Sequence, residues 1–342
     1  MYTNFLLFFI IISFFLVYFC RKNNFAVDFK LEKHKRFSSK YKSNSIGGIF
    51  LIIFLFYEYI VVNQNYNLFF FLFSIFLIGF LSDIKKLNSV SLRFFLQIIL
   101  IIFFVSLIGL EIKDTRIEYL DALITNKFVN IIFVCFCLMV LVNGSNFIDG
   151  LNGLLLKYYL LIFLIILFNF NDNSYVDTDF LINLTLILSI ILLFNLFGFI
   201  YLGDSGAYLL SIFSGIYLIN FSYNNEYISP FLIIVLLWYP CFELLFSMIR
   251  RFNHKSKTYK PDTNHLHQFI YYFIKRNLNQ ENNIIHLITS ILVNFYNLLI
   301  FIFAINFIYS SKILILTVVF NIFVYTSLYI FLKKNIKGID NN

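Results

Sequence analysis

The chain has 342 residues, 60% of them hydrophobic and 13% charged, with a formal net charge of +8. Ordinary soluble domains carry about 25% charged residues, so this composition excludes one. No nucleic-acid-binding motif accompanies the basic excess, which argues against a nucleic-acid partner. The fold class that fits is all-α: a polytopic integral membrane protein, with 1–342 read as a single transmembrane domain.

Apolar blocks at 4–20, 46–62, 67–81, 91–109, 128–142, 154–170, 180–200, 207–221, 228–249, 285–309 and 312–332 predict about eleven transmembrane helices. Each is near the roughly 20 residues that an α-helix needs to cross hydrocarbon, although the third, fifth and eighth are short. The first block has no basic residue before it and no small-residue cleavage pattern after it, so it reads as a retained helix. Cys20, Cys135, Cys137 and Cys241 lie in or beside apolar blocks and read as packing residues.

The loops between the blocks alternate in charge. One set (21–45, 82–93, 143–157, 201–206, 250–284 and the C-terminal tail) holds 22 of the 26 basic residues. By the positive-inside bias this set is cytoplasmic, with the N-terminus outside and the C-terminus inside. Topology and attraction to anionic lipid explain the base of 21–45 without further function.

Taken in order, the cytoplasmic set carries the residues with chemistry. Gly47-Gly48 opens the second block, where close helix packing is the favoured reading. The turn after the third block reads Ser82-Asp83-Ile84-Lys85-Lys86, followed by Arg93 and Gln97 on one helix face. Snorkelling explains the bases but not Asp83. In Asn143-Gly-Ser-Asn146-Phe-Ile-Asp149-Gly-Leu-Asn152-Gly153, four polar residues recur every third position. A continued helix would align them on one face as hard oxygen ligands suited to magnesium or phosphate-bearing groups, with a structural polar seam as the rival reading. Asp204, between Gly203 and Gly206, reads as a helix N-cap, or as a metal ligand beside free backbone N–H groups. Glu243 sits within the ninth block, where Arg250 or Arg251 would be its partner. His265 and His267 lack further ligands at zinc spacing and suit diphosphate oxygens, as donors. The loops 82–93, 143–154, 201–206 and 250–284 are therefore the candidate catalytic loops.

Together these stretches resemble the polyprenyl-phosphate N-acetylhexosamine-1-phosphate transferases, over roughly residues 34–270. The resemblance rests on Asp83 with Lys86, Arg93 and Gln97; Asn143-x-x-Asn146-x-x-Asp149-Gly150-x-x-Gly153-Leu154; Gly203-Asp204-x-Gly206; and Pro261-Asp262 leading to His265-Leu266-His267. It implies transfer of a sugar 1-phosphate from a UDP-N-acetyl sugar to polyprenyl (undecaprenyl) phosphate, with release of UMP, at the cytoplasmic face of the bacterial inner (plasma) membrane. The pathways implied are cell-surface glycans such as O-antigen, capsule, teichoic acid or peptidoglycan-type polymers. It implies Mg2+, with Mn2+ as a substitute, held by Asp204 and then Asn146. Asp83 would position or activate the attacking phosphate. Asp149, Asn143 and Asn152 would hold the nucleotide, while Lys86, Arg93, Arg250, Arg251, His265 and His267 would bind phosphate, diphosphate and sugar. The catalytic set implied is thus Asp83, Asp149, Asp204 and His265, and a homodimer is compatible with it. The chain departs from the pattern at Ser82, where the family usually has a first Asp, and at Asn152, Glu243 and Gln268. Two other readings stay open: a member that binds without turnover, and a transporter of a lipid-linked or anionic solute, for which paired repeats and several charges deep in the spans would be expected.

Overall fold

A computed structural model describes residues 2–26, 44–170, 176–253, 264–278 and 280–337. Pro261, Asp262 and most of the basic connector 21–45 lie outside the described residues. The elements are α1 (Tyr2–Lys22), β1 (Asn44–Ser45), α2 (Gly47–Phe56, continuing as a π-helical turn over Tyr57–Val62), α3 (Tyr66–Asp83), α4 (Val90–Ile108), α5 (Glu118–Ile124), α6 (Lys127–Ile148), α7 (Leu154–Asn169), α8 (Thr178–Leu196), β2 (Ile200–Tyr201), α9 (Gly203–Asn224), α10 (Pro230–Leu236), α11 (Trp238–Asn253), α12 (Leu266–Asn277), α13 (Asn282–Ile305) and α14 (Ser311–Lys337).

Every one of the predicted apolar blocks falls on a helix or a helix pair. Among the described residues, eight helices are long and apolar enough to cross a membrane, and the pair α10–α11, bent by 71°, makes a ninth. Two further apolar segments, Gly47–Val62 and Leu154–Asn169, are shorter than that. The short members are therefore the second and sixth blocks. The third, fifth and eighth are lengthened by polar residues that stay helical: α3 runs through Ser82 and Asp83, α6 through Asn146, and α9 begins at Gly203.

The helix starts follow from side chains that accept orphan N–H groups. Asn65 accepts from Leu68, Ser89 from Leu92, Asn126 from Phe128 and Asp177 from Phe180. Ser229 caps α10 ahead of Pro230, whose missing N–H costs nothing at that position. The α10–α11 break has a local cause. Pro240 cannot donate to Leu236, four residues earlier; the freed carbonyl instead accepts from the Tyr158 hydroxyl at 2.7 Å.

The most buried span is α9. Its sequence is rich in Gly, Ala and Ser, which lets neighbouring backbones approach closely. A methyl group at Gly215 would fall 2.6 Å from Leu138 of α6, and one at Gly79 of α3 would fall 2.4 Å from the Ser205 Cα.

Contacts between helix ends sort the loops into two layers. Asp83 meets the start of α9, Gly153 meets Asn195 at the end of α8, Asn152 meets His286 at the start of α13, and Glu243 of α11 meets His265 before α12. At the opposite end, Arg116 donates to the carbonyls of Tyr227 and Tyr309 and to the Ser311 hydroxyl. The first helix finishes in the Asp83 layer, where Asn44 donates to the Cys20 carbonyl, and Tyr329 near the end of α14 accepts from Arg250 there. This segregation is the one that the alternation of basic loops anticipates.

Candidate active site

The site is built where α2, α3 and α9 converge. β1 and β2 pair in parallel, Asn44 with Ile200 and Ser45 with Tyr201, and the Gly48 N–H donates to the Leu202 carbonyl at 3.2 Å. A methyl group at Gly48 would fall 2.5 Å from the Ser205 hydroxyl oxygen, so the glycine pair serves close helix packing.

This convergence delivers the end of α3 to the start of α9. The Asp83 carboxylate accepts from the Asp204 N–H at 2.9 Å, the Ser205 N–H at 3.0 Å and the Ser205 hydroxyl at 2.6 Å. A helix N-terminus is a ready anion site, and here a carboxylate from the same chain fills it. Gly203, at φ +77°, permits the approach, because a methyl group there would lie 2.7 Å from an Asp83 oxygen. The N-cap expectation for Asp204 is thus corrected. Leu202 precedes the helix, Asp204 lies in its first turn, and the N–H groups of that turn are bound by Asp83.

Asp204 is left to face α3 and α4. Its Oδ2 accepts from the Ser82 hydroxyl at 2.7 Å and pairs with the Arg93 guanidinium, which also donates to Ser82. The Tyr208 hydroxyl stands 3.4 Å from the same Arg93 nitrogen. The Arg93 side chain is 15% exposed and that of Asp204 24%. Gln97 is buried one turn along α4, while Lys86 is exposed in the connecting turn.

The other candidate residues gather around the end of α6. Asn143 donates back into its own helix, to the Met139 carbonyl, and Asn146 is half-buried on the same helix. Asp149 is the residue after the last turn, and the chain then turns through Gly150 and Gly153. The four polar residues therefore do not form one helical stripe as far as Asn152. Instead Asn152 is buried, its N–H donating to His286 Nδ1 at 3.3 Å. The Gly153 N–H donates to Asn195, whose amide donates in turn to the Ile200 carbonyl, tying this turn to the strand that leads into Asp204.

Against that turn lies the start of α12. His265 Nδ1 is 2.8 Å from Glu243 Oε1, so the buried glutamate is paired with a histidine; the expectation of Arg250 or Arg251 is corrected. The two arginines serve elsewhere: Arg250 donates to the Asn264 carbonyl and the Tyr329 hydroxyl, and Arg251 lies over the Phe147 ring. The His265 and His267 rings stack at 5.6 Å. His267 is fully buried, and burial pushes its pKa down to about 3, so it is neutral at physiological pH. The Tyr239 hydroxyl lies 3.5 Å from its Nδ1, and its buried Nε2 has no hydrogen-bond partner among the described residues, lying 3.1 Å from where a Gly150 side chain would begin.

The candidate residues thus come together as two groups on one layer, Ser82–Asp83–Arg93–Asp204 and Asn143–Asn152 with His265 and His267, joined through Asn195. Sequence reasoning missed Ser205, which helps hold Asp83, and the α13 residues His286 and Ser290, the latter accepting from Lys157 at 2.8 Å. Lys157 itself belongs to α7 and not to the preceding loop. The only advance signal was the presence of polar residues in an otherwise apolar α13.

Among the described residues, no three His, Cys, Asp or Glu side chains converge as a cage for a metal ion. Magnesium asks for less: one or two carboxylates, with substrate phosphates and water completing the shell. A partly exposed Asp204 fits that mode.

Residues 65–222 match the sequence model described as Glycosyl transferase family 4. This stretch runs from α3 to α9 and holds Ser82, Asp83, Arg93, the 143–154 turn and Asp204. The match covers 158 of the 342 residues and is a similarity to glycosyl transferase family 4. A curated relative, undecaprenyl-phosphate alpha-N-acetylglucosaminyl 1-phosphate transferase of Thermotoga maritima, is 27% identical over 210 residues, covering 58% of this chain and 60% of the relative. The chain thus aligns with about three fifths of that enzyme's length. The Glu243–His265 pair lies outside the family 4 match.

Proposed function

We propose that this protein transfers an N-acetylhexosamine 1-phosphate from a UDP-sugar to a polyprenyl phosphate, with release of UMP, at the cytoplasmic face of a bacterial inner membrane. The product would start a cell-surface glycan. The observation that carries the reading is the contact of Arg93 and Ser82 with Asp204, which joins motifs more than 100 positions apart at one end of the helices. It agrees with the acceptor and the group transferred in the name of the Thermotoga maritima relative.

In this reading a phosphate oxygen of the lipid attacks the sugar-bearing phosphorus, the bond from that phosphorus to the bridging oxygen breaks, and UMP leaves with the electron pair. The lipid phosphate is already largely ionised, so the chain's task is positioning and charge stabilisation. Arg93 supplies a guanidinium suited to phosphate oxygens. Asp83 holds the first turn of α9, and through it the position of Asp204. Asn143, Asp149 and Asn152 border the nucleotide. His267, neutral and with Nδ1 toward the Tyr239 hydroxyl, presents Nε2 to the Gly150 turn. Arg250 and Arg251 act mainly by fixing the α11–α12 corner, and Lys86 offers an exposed cation for the lipid phosphate. Mg2+ bound through Asp204, with Asn146 the second candidate, would neutralise the diphosphate.

The test is a UMP-release screen of the purified protein with polyprenyl phosphate and a panel of UDP-N-acetyl sugars, with and without Mg2+. Release that needs both substrates supports the reading; no release with any donor rejects it. Ser82 favours one second reading, a member that binds nucleotide without turnover. Under that reading UDP-sugar binds without UMP release, and Ser82→Asp restores release.

A further inference from the structure

The Ser82–Asp83–Arg93–Asp204 group holds two carboxylates and one guanidinium, and each carboxylate has its partners before any ligand arrives. The negative charge of Asp83 is taken up by two backbone N–H groups and a hydroxyl at the start of α9. Ser82 brings no charge and spends its hydroxyl on Asp204 Oδ2. That leaves one carboxylate, Asp204, and one guanidinium, Arg93, in direct contact. A divalent cation approaching this group alone would meet a carboxylate already paired with Arg93 and, among the described residues, no cluster of three acidic, thiol or imidazole ligands. It would have to displace Arg93, while the second carboxylate, Asp83, is committed to the start of α9.

A diphosphate changes the balance. It adds phosphate oxygens that match the fork of guanidinium donors better than a single carboxylate oxygen does. Once Arg93 turns to them, Asp204 is free to complete an oxygen shell with phosphates and water.

We propose that Arg93 is the resident counter-ion of Asp204, so that a divalent cation binds there only together with a diphosphate-bearing ligand. The inference rests on the proposed function for the identity of that ligand, a UDP-sugar. It assigns to Arg93 a gating role toward the metal in addition to its contact with phosphate. Ser82 is the residue that makes the gate work, because an acid at that position would place a second negative charge beside Asp204.

The test is a Mn2+ titration of the purified full-length protein in detergent, following the free-ion paramagnetic signal, with Asp204→Asn protein as the blank. For the wild type, the Asp204-dependent affinity rises about tenfold or more when UDP-N-acetylglucosamine is present, within the range of ordinary binding couplings. Without nucleotide, Arg93→Gln and Ser82→Asp each bind Mn2+ about tenfold more tightly than the wild type. Equal wild-type affinity with and without nucleotide overturns the proposal, as do two variants that bind no better than the wild type. If Arg93→Gln fails to fold, the wild-type comparison and Ser82→Asp still decide. Failure of UMP release with every donor, alongside tighter Mn2+ binding by Arg93→Gln, removes the proposed function and leaves the gate. UMP release together with tight Mn2+ binding by the wild type alone does the reverse.

Discussion

Asp83 is bonded through both oxygens of its carboxylate to the segment that carries Asp204: the Asp204 N–H donates at 2.9 Å and the Ser205 N–H at 3.0 Å. The end of α3 therefore sets where α9 begins, and the direction of the Asp204 side chain follows from that.

Hydrogen bonds to a charged acceptor contribute about 1.5–3 kcal/mol each. Asp83→Ala loses three and leaves the first N–H groups of α9 unmet, so it lowers Tm by several degrees. Asp83→Asn retains one acceptor oxygen and loses about half as much. Thermal unfolding in detergent measures both, and an Asp83→Ala protein within ~1 °C of the wild type contradicts the pinning role.

Gly203 and Gly109 share a left-handed backbone but not their surroundings. A methyl group at Gly203 would meet the Asp83 carboxylate at 2.7 Å, whereas one at Gly109 would meet nothing within 4 Å. Gly109→Ala therefore costs only the backbone strain, about 1 kcal/mol, and leaves turnover unchanged. Gly203→Ala adds a collision with Asp83 and lowers both stability and UMP release, the latter about tenfold, equivalent to about 1.4 kcal/mol of lost transition-state stabilisation. Equal effects from the two substitutions would show that Asp83 does not bear on Gly203.

Glu243 and His265 form a pair in which the acid is fully buried and the ring nearly so. Removing one partner of a buried pair costs about 3–5 kcal/mol, because the other is left uncompensated. Glu243→Gln and His265→Gln are each expected to destabilise by that order, and the double variant by clearly less than their sum. A double-mutant cycle with a coupling below ~0.5 kcal/mol refutes the pairing.

His267 gives stability a pH dependence of known sign. Its pKa is near 3 in the folded chain, because burial disfavours the charged ring more strongly than Glu243 favours it. In the unfolded chain it is about 6.5. Below pH ~6.5 the unfolded state binds the extra proton, so stability is lost as pH falls, with a slope approaching ~1.4 kcal/mol per pH unit. Above that pH the residue contributes no slope. Between pH 7.5 and 5.5 the Tm of the wild type should fall by a few degrees more than that of His267→Asn; identical falls exclude a neutral buried His267.

Much of this was legible in the sequence. The apolar blocks located the helices, because lipid demands a run of apolar side chains whatever the tertiary fold; eight of these helices, or nine with the bent pair, are long enough to cross a membrane. The charge alternation anticipated which loops share a layer. What periodicity could not show was how far a helix continues through polar residues. Ser82–Asp83 and Asn143–Ile148 are helical because tertiary partners satisfy them, including Ser205, Asp204 and the close Gly144–Pro240 packing. Nor could one-dimensional reasoning pair Glu243 with His265 over two arginines nearer in sequence. That choice depends on the α11–α12 corner, and the residues between them include a stretch outside those described. Asp83 and Ser82 show the same limit at one-residue scale. Neighbours on a helix point about 100° apart, and only the packing of α3 on α9 decides that Asp83 holds the backbone while Ser82 faces Asp204.

The most direct test of the account is formation of lipid-linked sugar phosphate from polyprenyl phosphate and a labelled UDP-N-acetyl sugar by the wild type and by Asp204→Ala, compared at matched fold and amount. The account predicts product from the wild type and a loss of about a hundredfold or more in the variant, the scale of removing a main electrostatic contributor. Turnover by Asp204→Ala equal to that of the wild type would contradict it.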